Sequence, residues 1–363
     1  MRPPLNRKEK RKIDPSALHK ILLIRLRRIG DVVMTTPAIA ALKQALPGAS
    51  LSYIVEEPYA RLVQGNPNLD NVIALPPGQN FVGFLRFCRQ IRREKYDAVI
   101  DFHGGPRASV LAFLSAAKLK VGYELKYKNF IYDIRIPRSR RDGYFHSVES
   151  HLNLVKALGL AVGEPPPPLF IPPAQKEEEE KVERFWTENR LAGAKVAVLH
   201  IGAGNEFRDW GADNFIELAN RLTGLAGVRI ILVGSAKDLE KEEEIQRKSR
   251  MPLLSLVGKA NLIELREVIR RASLFVGPDS GPMHIAAATS TPIVALFGPT
   301  LPENFAPWQA KAILIQKDLE CRPCKQRRCL TEDFRCLRSI EPTEVYEACQ
   351  KFLGDGSPGE PSP

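Results

Sequence analysis

Leu274-Phe-Val-Gly277-Pro-Asp279-Ser280-Gly281-Pro282-Met-His284-Ile-Ala-Ala-Ala288, followed by Pro292-Ile-Val-Ala-Leu-Phe-Gly298-Pro-Thr300, sets two short apolar runs on either side of an Ala-rich segment. The outer runs carry the β-branched and aromatic residues of buried strands, and the segment between them opens on Gly281 and Pro282, as the first turn of a helix does. The order is strand, sharp loop, short helix, strand, which predicts an α/β fold with ligands at its strand-to-helix corners. Backbone N–H groups at a helix start attract anions, and Ser280 and Gly281 leave them uncovered, which suits a diphosphate. A carboxylate at Asp279 would repel that phosphate and is better suited to accept hydrogen bonds from sugar hydroxyls, with His284 one turn further in. A purely structural turn, with Asp279 as a cap and His284 in the core, fits the same spacing.

The alternation extends in both directions. Towards the N-terminus, Ile21-Leu-Leu-Ile-Arg-Leu reads as a strand, followed by Gly30-Asp31 and a helix over 32–46. Strands are expected at 51–55, 72–75 and 98–101, with helices at 58–64, 81–94 and 107–117. Glu164-Pro-Pro-Pro-Pro-Leu-Phe-Ile-Pro-Pro173 can continue neither a helix nor a sheet interior and reads as a linker. A charged helix over 176–191 turns Phe185 and Trp186 inward. A second alternating set then begins at 195–201, with strands near 228–233, 253–256, 274–276 and 292–297. The expected organisation is a basic tail (1–18), a first doubly wound domain (19–163), a Pro-rich linker (164–175), a second doubly wound domain (176–340), a last helix (341–353) and a disordered tail (354–363), with a cleft between the domains.

A chain of 363 residues, 44% of them hydrophobic, can supply two ordinary cores. Its formal charge of +11 calls for an acidic partner: nucleic acid, an anionic membrane surface or a phosphorylated substrate. Helix-turn-helix, zinc-finger and RNA-binding signatures are absent and the basic residues are spread without regular aromatic interleaving, which argues against nucleic acid. No apolar run approaches the ~20 residues of a membrane helix, and the basic start leads into neither a signal peptide nor an anchor, so a cytoplasmic protein is expected.

Two more corners carry chemistry. At Arg25-Leu-Arg-Arg-Ile-Gly30-Asp31 a carboxylate stands at a helix start, where the dipole favours its ionised form; it reads as a general base facing the cleft or as a helix cap. At His200-Ile-Gly202-Ala203-Gly204-Asn-Glu-Phe-Arg208-Asp-Trp210 the glycines allow close approach of a phosphate and Arg208 offers a forked donor, while Phe207 replaces the third glycine of a dinucleotide fingerprint. Gly234-Ser235-Ala-Lys-Asp238 repeats the pattern. Cys321-x2-Cys324-x4-Cys329-x6-Cys336 has the composition of a structural zinc site without its usual paired knuckles; reduced thiols in a basic loop reaching for phosphates are the other reading.

In this order and spacing the corners resemble glycosyltransferase family 9, best known for the ADP-heptose:lipopolysaccharide heptosyltransferases. The resemblance runs from about Lys20 to Leu353 and rests on Arg25, Gly30-Asp31 and Thr35-Thr36-Pro37, on Gly277-x-Asp279-Ser280-Gly281-Pro282-x-His284, and on Phe297-Gly298-Pro299-Thr300. It implies the GT-B fold, two Rossmann-like domains facing across a cleft, with acceptor bound by the first and nucleotide sugar by the second. It further implies Asp31 as the base in an inverting transfer of heptose from ADP-heptose, with no cofactor required. The donor would be held by Gly202, Ala203, Gly204, Arg208, Trp210, Ser235, Asp238, Asp279, Ser280, Gly281 and His284. A lipid-linked, phosphorylated or carboxylated oligosaccharide acceptor would meet Gly30, His103, Arg107 and Lys126 at the inner face of the inner membrane, where the basic tail would help recruit the enzyme. The family usually has Pro after the second-corner His, Lys before the Trp and Pro after it; here stand Ile201, Arg208 with Asp209, and Gly211. Another nucleotide sugar, or a non-catalytic sugar-nucleotide-binding protein, are the competing expectations.

Overall fold

The structure, a computed structural model, describes residues 14–125, 130–138 and 145–354. Two six-stranded sheets, every strand parallel to its neighbours, make up its framework. The first contains β1 (Lys20–Ile24), β2 (Ser50–Glu56), β3 (Asn71–Leu75), β4 (Ala98–Asp101), β5 (Leu119–Tyr123) and β6 (Ile134–Ile136), in the order β3-β2-β1-β4-β5-β6. The second contains β7 (Lys195–His200), β8 (Val228–Val233), β9 (Leu254–Ser255), β10 (Leu274–Pro278), β11 (Ile293–Phe297) and β12 (Ala312–Gln316), in the order β12-β11-β10-β7-β8-β9. Read from their own first strands, both sheets have the same doubly wound order. The strand order reverses between β1 and β4 in one and between β7 and β10 in the other, and crevices for ligands open beyond the C-terminal ends of such pairs.

The central strands are apolar throughout because both of their faces are covered. Leu22, Ile24 and Val99 meet Phe87, Cys88, Ile91, Ala108, Leu111 and Ala112 from the helices Phe81–Arg93 and Pro106–Leu114. The opposite face, with Ile21, Leu23 and Ile100, belongs to a core continuous with Val196, Val198 and Phe275 of the second sheet. Helix Pro342–Leu353 closes the far side of that sheet through Val345, Ala348 and Cys349. The proline-rich segment is packed rather than free. Phe170 N–H donates to Thr36 Oγ1 at 2.9 Å and Trp308 Nε1 donates to the Pro167 carbonyl at 3.3 Å.

The helix expected over 32–46 starts earlier and is broken. It runs as Ile29–Val33 and Thr36–Ala45, because Pro37 has no N–H to offer the Val33 carbonyl and its ring crowds it. The hydroxyls of Thr35 and Thr36 take up the Val32 and Val33 carbonyls instead, each at 2.7 Å. The segment expected as a helix over 58–64 is a 3-10 turn, Glu57–Leu62. No helix among the described residues is long and apolar enough to cross a membrane.

Candidate active site

The first wall of the site is the corner after β1. Helix Ile29–Val33 has Arg28 as its N-cap, so Asp31 is inside the first turn and is not the cap. Its carboxylate receives Arg25: Nη2 stands 2.6 Å from Asp31 Oδ2, while Nη1 donates to the Phe102 carbonyl at 2.7 Å. The Arg25 side chain is only 4% exposed and that of Asp31 27%, so the guanidinium is a fixed brace and the carboxylate a group that still meets solvent. Removing one partner of such a pair leaves the other buried charge uncompensated. Arg28 holds φ +71°, a conformation unfavourable for a side chain with a Cβ, and of the kind that clusters at functional sites. Asp101, at the end of β4, accepts from the N–H groups of His103 and Gly104 at 2.8 and 2.9 Å and from Tyr132, and so fixes the loop that carries His103.

The second wall is the corner after β10. Asp279 is buried, and its Oδ2 accepts from Thr300 Oγ1 at 2.6 Å and lies 3.4 Å from Arg208 Nη1. Arg208 Nη1 also donates to the Asp279 carbonyl at 3.0 Å, and Nε donates to Gln326 Oε1 at 3.1 Å. Asp279 therefore positions Arg208 as well as lining the cleft. His200 Nδ1 and Ser280 Oγ are hydrogen-bonded at 3.2 Å, and Asp238 Oδ2 accepts from both the N–H and the hydroxyl of Ser235 at 2.7 Å. Burial pushes His200 and His284 down to about 4, so both imidazoles are neutral at pH 7. The fixed positive charge on this wall is Arg208, aided by the start of helix Gly281–Ala287. Nδ1 of His284 is buried without a hydrogen-bond partner among the described residues.

The walls meet helix to helix. A Cβ on Gly30 would lie 2.5 Å from His284 Cδ2, and one on Gly281 would lie 2.6 Å from Ile29 Cβ. Neither position admits a larger residue without moving the helices apart. Beside this contact lies a cleft of about 690 Å³, lined from the first wall by Gly30 and Asp31 and from the second by Gly202, Ala203, Gly204, Arg208, Ser235, Asp238, Asp279, Ser280, Gly281 and His284. The same lining includes the apolar side chains of Leu256, Leu262, Leu265 and Phe305. A second cavity of about 500 Å³ is lined by Arg25, Arg27, Arg28, Asp31, Tyr59, His103 and Arg138. Arg28, Asp31 and Tyr59 border both spaces, and Asp31 is the one carboxylate among the described residues that does. The basic cavity suits a polyanion. His103 contributes no charge to it at pH 7, because burial and then Arg25 push its pKa down to about 4.

Two sequence expectations are corrected. Trp210 does not reach the cleft: it is fully buried in the second core, edge-on to Phe215, with Nε1 donating to the Ile340 carbonyl at 2.9 Å. Arg107 borders neither cavity. It pairs with Glu56 at 3.4 Å, and its guanidinium lies 5.2 Å from the centre of the Phe84 ring. Lys126 lies outside the described residues, as do residues 1–13 of the basic tail and 355–363 at the C-terminus. Of the two readings of Cys321, Cys324, Cys329 and Cys336, a structural zinc finds no support: the thiols are free, and no group of three or more His, Cys, Asp or Glu among the described residues is arranged to hold a metal ion. The cysteine loop does reach the second wall, but through Gln326, which also accepts from Asn205 Nδ2 at 3.1 Å. Arg27 and Arg28 stand beside Arg25 in the sequence and are legible there. Tyr59 and Arg138 are not, since only the topology brings them to the end of β1.

Residues 84–334 match the profile of glycosyltransferase family 9 (heptosyltransferase). Lipopolysaccharide heptosyltransferase 3 of Escherichia coli K12 is 26% identical over 347 residues, spanning 92% of this chain and 98% of that protein. Among solved structures, a glycosyl transferase family 9 protein of Veillonella parvula DSM 2008 superposes with a TM-score of 0.83 at 24% identity, covering 94% of this chain and 99% of the other. The E. coli ADP-heptose lps heptosyltransferase II superposes with a TM-score of 0.72 at 22% identity, covering 92% and 98%. The paired doubly wound sheets are thus the GT-B fold, and the chain, with its corners at Asp31 and at Asp279 to His284, belongs to glycosyltransferase family 9, the heptosyltransferases.

Proposed function

We propose that the protein transfers heptose from ADP-heptose to an inner-core lipopolysaccharide acceptor, with inversion at the anomeric carbon and Asp31 as general base. The observation that carries the reading is that Asp31 borders both the cleft and the basic cavity. A group that takes a proton from an acceptor hydroxyl as it attacks a donor must touch both spaces. The division of labour follows: residues 19–163 hold the acceptor, 164–175 link, and 176–340 hold the nucleotide sugar, with helix 341–353 completing that half.

In this scheme the diphosphate lies against Gly202 to Gly204, Arg208 and the start of helix Gly281–Ala287, with the adenine towards Leu256, Leu262 and Leu265. Phosphate or carboxylate groups of the acceptor enter between Arg27, Arg28 and Arg138. As the acceptor O–H gives its proton to Asp31, its oxygen bonds to the anomeric carbon from the face opposite the diphosphate. The bond from that carbon to the ADP oxygen breaks, and its electron pair leaves with ADP. Arg208 stabilises the negative charge that develops there. Because His200 and His284 are neutral, they donate hydrogen bonds to donor oxygens and add no charge. The scheme draws on no metal or cofactor, and a lipid-linked acceptor places it at the cytoplasmic face of the inner membrane.

The test is transfer from a panel of ADP- and GDP-sugars to defined core acceptors, with the product linkage determined by NMR. Transfer of heptose from ADP-heptose with an inverted linkage is expected. A preference for another donor, or retention of configuration, contradicts the proposal.

A further inference from the structure

The layer over one face of the first sheet carries a surface that the transfer chemistry does not use. Helix Phe81–Arg93 turns Phe84, Phe87, Cys88 and Ile91 towards the sheet, at i, i+3, i+4 and i+7. The rest of its first turns is also apolar yet faces solvent: Phe81 is 74% exposed, Val82 62% and Leu85 40%. The neighbouring helix Pro106–Leu114 adds Val110 and Phe113, the latter 52% exposed. Both helices cover the same side of the sheet and so present their outer faces in the same direction. Exposed apolar side chains grouped in this way mark an interaction surface.

The charges beside the patch identify the partner. Arg86, Arg89, Arg92 and Arg93 follow the apolar turns on the same helix, are all exposed, and make no ion pair among the described residues. Two copies of this face would set like charges against each other. An anionic bilayer instead takes the apolar turns into its headgroup boundary and the arginines onto its phosphates. The position is also suitable. Arg107 lies over Phe84, beneath this patch, and pairs with Glu56, the last residue of β2, so the apolar start of the helix lies near the end of β2, after which Tyr59 lines the basic cavity.

We infer that the helices Phe81–Arg93 and Pro106–Leu114 dock the protein on an anionic membrane surface, with Phe81, Val82 and Leu85 as the inserting side chains and Arg86, Arg89, Arg92 and Arg93 as the lipid contacts. The inference rests on the proposed function only for the reason a membrane is near. Vesicle binding requires neither donor nor acceptor, so the two readings fail separately.

The experiment is co-sedimentation of the full chain with vesicles of phosphatidylethanolamine and phosphatidylglycerol, and with vesicles of phosphatidylcholine alone. The unmodified protein is expected to bind the anionic vesicles and not the neutral ones, and high salt should weaken binding. The variants F81S/V82S/L85S and R86Q/R89Q/R92Q/R93Q should each lose about tenfold or more in binding, while keeping their melting temperature and their transfer to a water-soluble acceptor. A Val82→Trp variant gives an independent reading through a blue shift of the added indole's emission on the anionic vesicles. Unchanged binding in both multiple variants, an unshifted emission from the Val82→Trp variant, or loss of binding only when residues 2–18 are deleted would overturn the inference. So would a dimer in solution that F81S/V82S/L85S dissociates.

Discussion

Gly30, on the wall that carries Asp31, is pressed so tightly against His284 on the opposite wall that a Cβ there would stand 2.5 Å from Cδ2 of the imidazole. The mirrored contact, Gly281 against Ile29, comes from the same two helices. Each glycine thus sets how closely Asp31 and the corner at Asp279 to His284 can approach. Gly30→Ala and Gly281→Ala should each cost ~1–3 kcal/mol of stability and lower kcat at least tenfold, since a shift of about 1 Å in reacting groups is expensive. Ile29→Gly, which removes the Cβ that a residue at position 281 would meet at 2.6 Å, should restore part of the lost rate in Gly281→Ala and none in Gly30→Ala. Melting curves and steady-state rates of the single and double variants check this. Equal rescue of both would place the strain elsewhere.

Gln326 and Asp279 hold the Arg208 guanidinium from two sides. Gln326→Ala removes one hold without touching the ligand directly, so the affinity for ADP should fall several-fold, by the ~0.5–1.5 kcal/mol of one hydrogen bond. Gln326→Glu should not mimic this loss, because a carboxylate can still accept from Arg208 Nε. Arg208→Lys should be worse than Gln326→Ala, since an ammonium has no fork. Calorimetric titration with ADP reads all three. Identical affinities across the series would remove Arg208 from the donor site.

Three histidines of the site, His103, His200 and His284, are each pushed down to about 4, with burial the largest cause. In the unfolded chain they titrate near 6.5, so between pH 6.5 and 4 the unfolded state binds protons that the folded state refuses. Their contribution to stability is complete above pH 6.5 and is lost as pH falls through that window. Each group withdraws up to ~1.4 kcal/mol per pH unit. The melting temperature should therefore decline from pH 6.5 to pH 4, and His200→Gln should make the decline shallower. A melting temperature that is flat over this range would mean the imidazoles are not held neutral.

Much of this site is legible in the sequence, for reasons that are local. Ile21 to Ile24 and Leu274 to Val276 are apolar because both faces of a central parallel strand are covered, and the residues that follow such strands lie at the functional edge of the sheet. Asp31 and Asp279 to His284 stand out in this way. Residues whose role depends on distant partners do not. Trp210 follows Arg208 by two positions, yet its indole turns to the Ile340 carbonyl on the other side of the corner. Arg107 carries no sign in the sequence of the Glu56 and Phe84 that the fold brings to it. Tyr59 and Arg138 come from a 3-10 turn and from the loop after β6, where no spacing announces them. Strands β5, β6 and β12, at or next to a sheet edge, escape a reading by pattern because they are only partly buried and their sequences lack the continuous apolar run of the centre.

In the proposed scheme Asp31 takes the acceptor's proton while the opposite wall holds the donor. The most direct measurement pairs the single-turnover transfer rate of Asp31→Ala with its affinity for ADP. The rate should fall ~10²–10⁴-fold while the ADP affinity stays within about threefold of the unmodified protein, because the scheme sets the base on one wall and the diphosphate on the other. A variant that transfers at nearly the original rate, or that loses ADP binding along with activity, would contradict it.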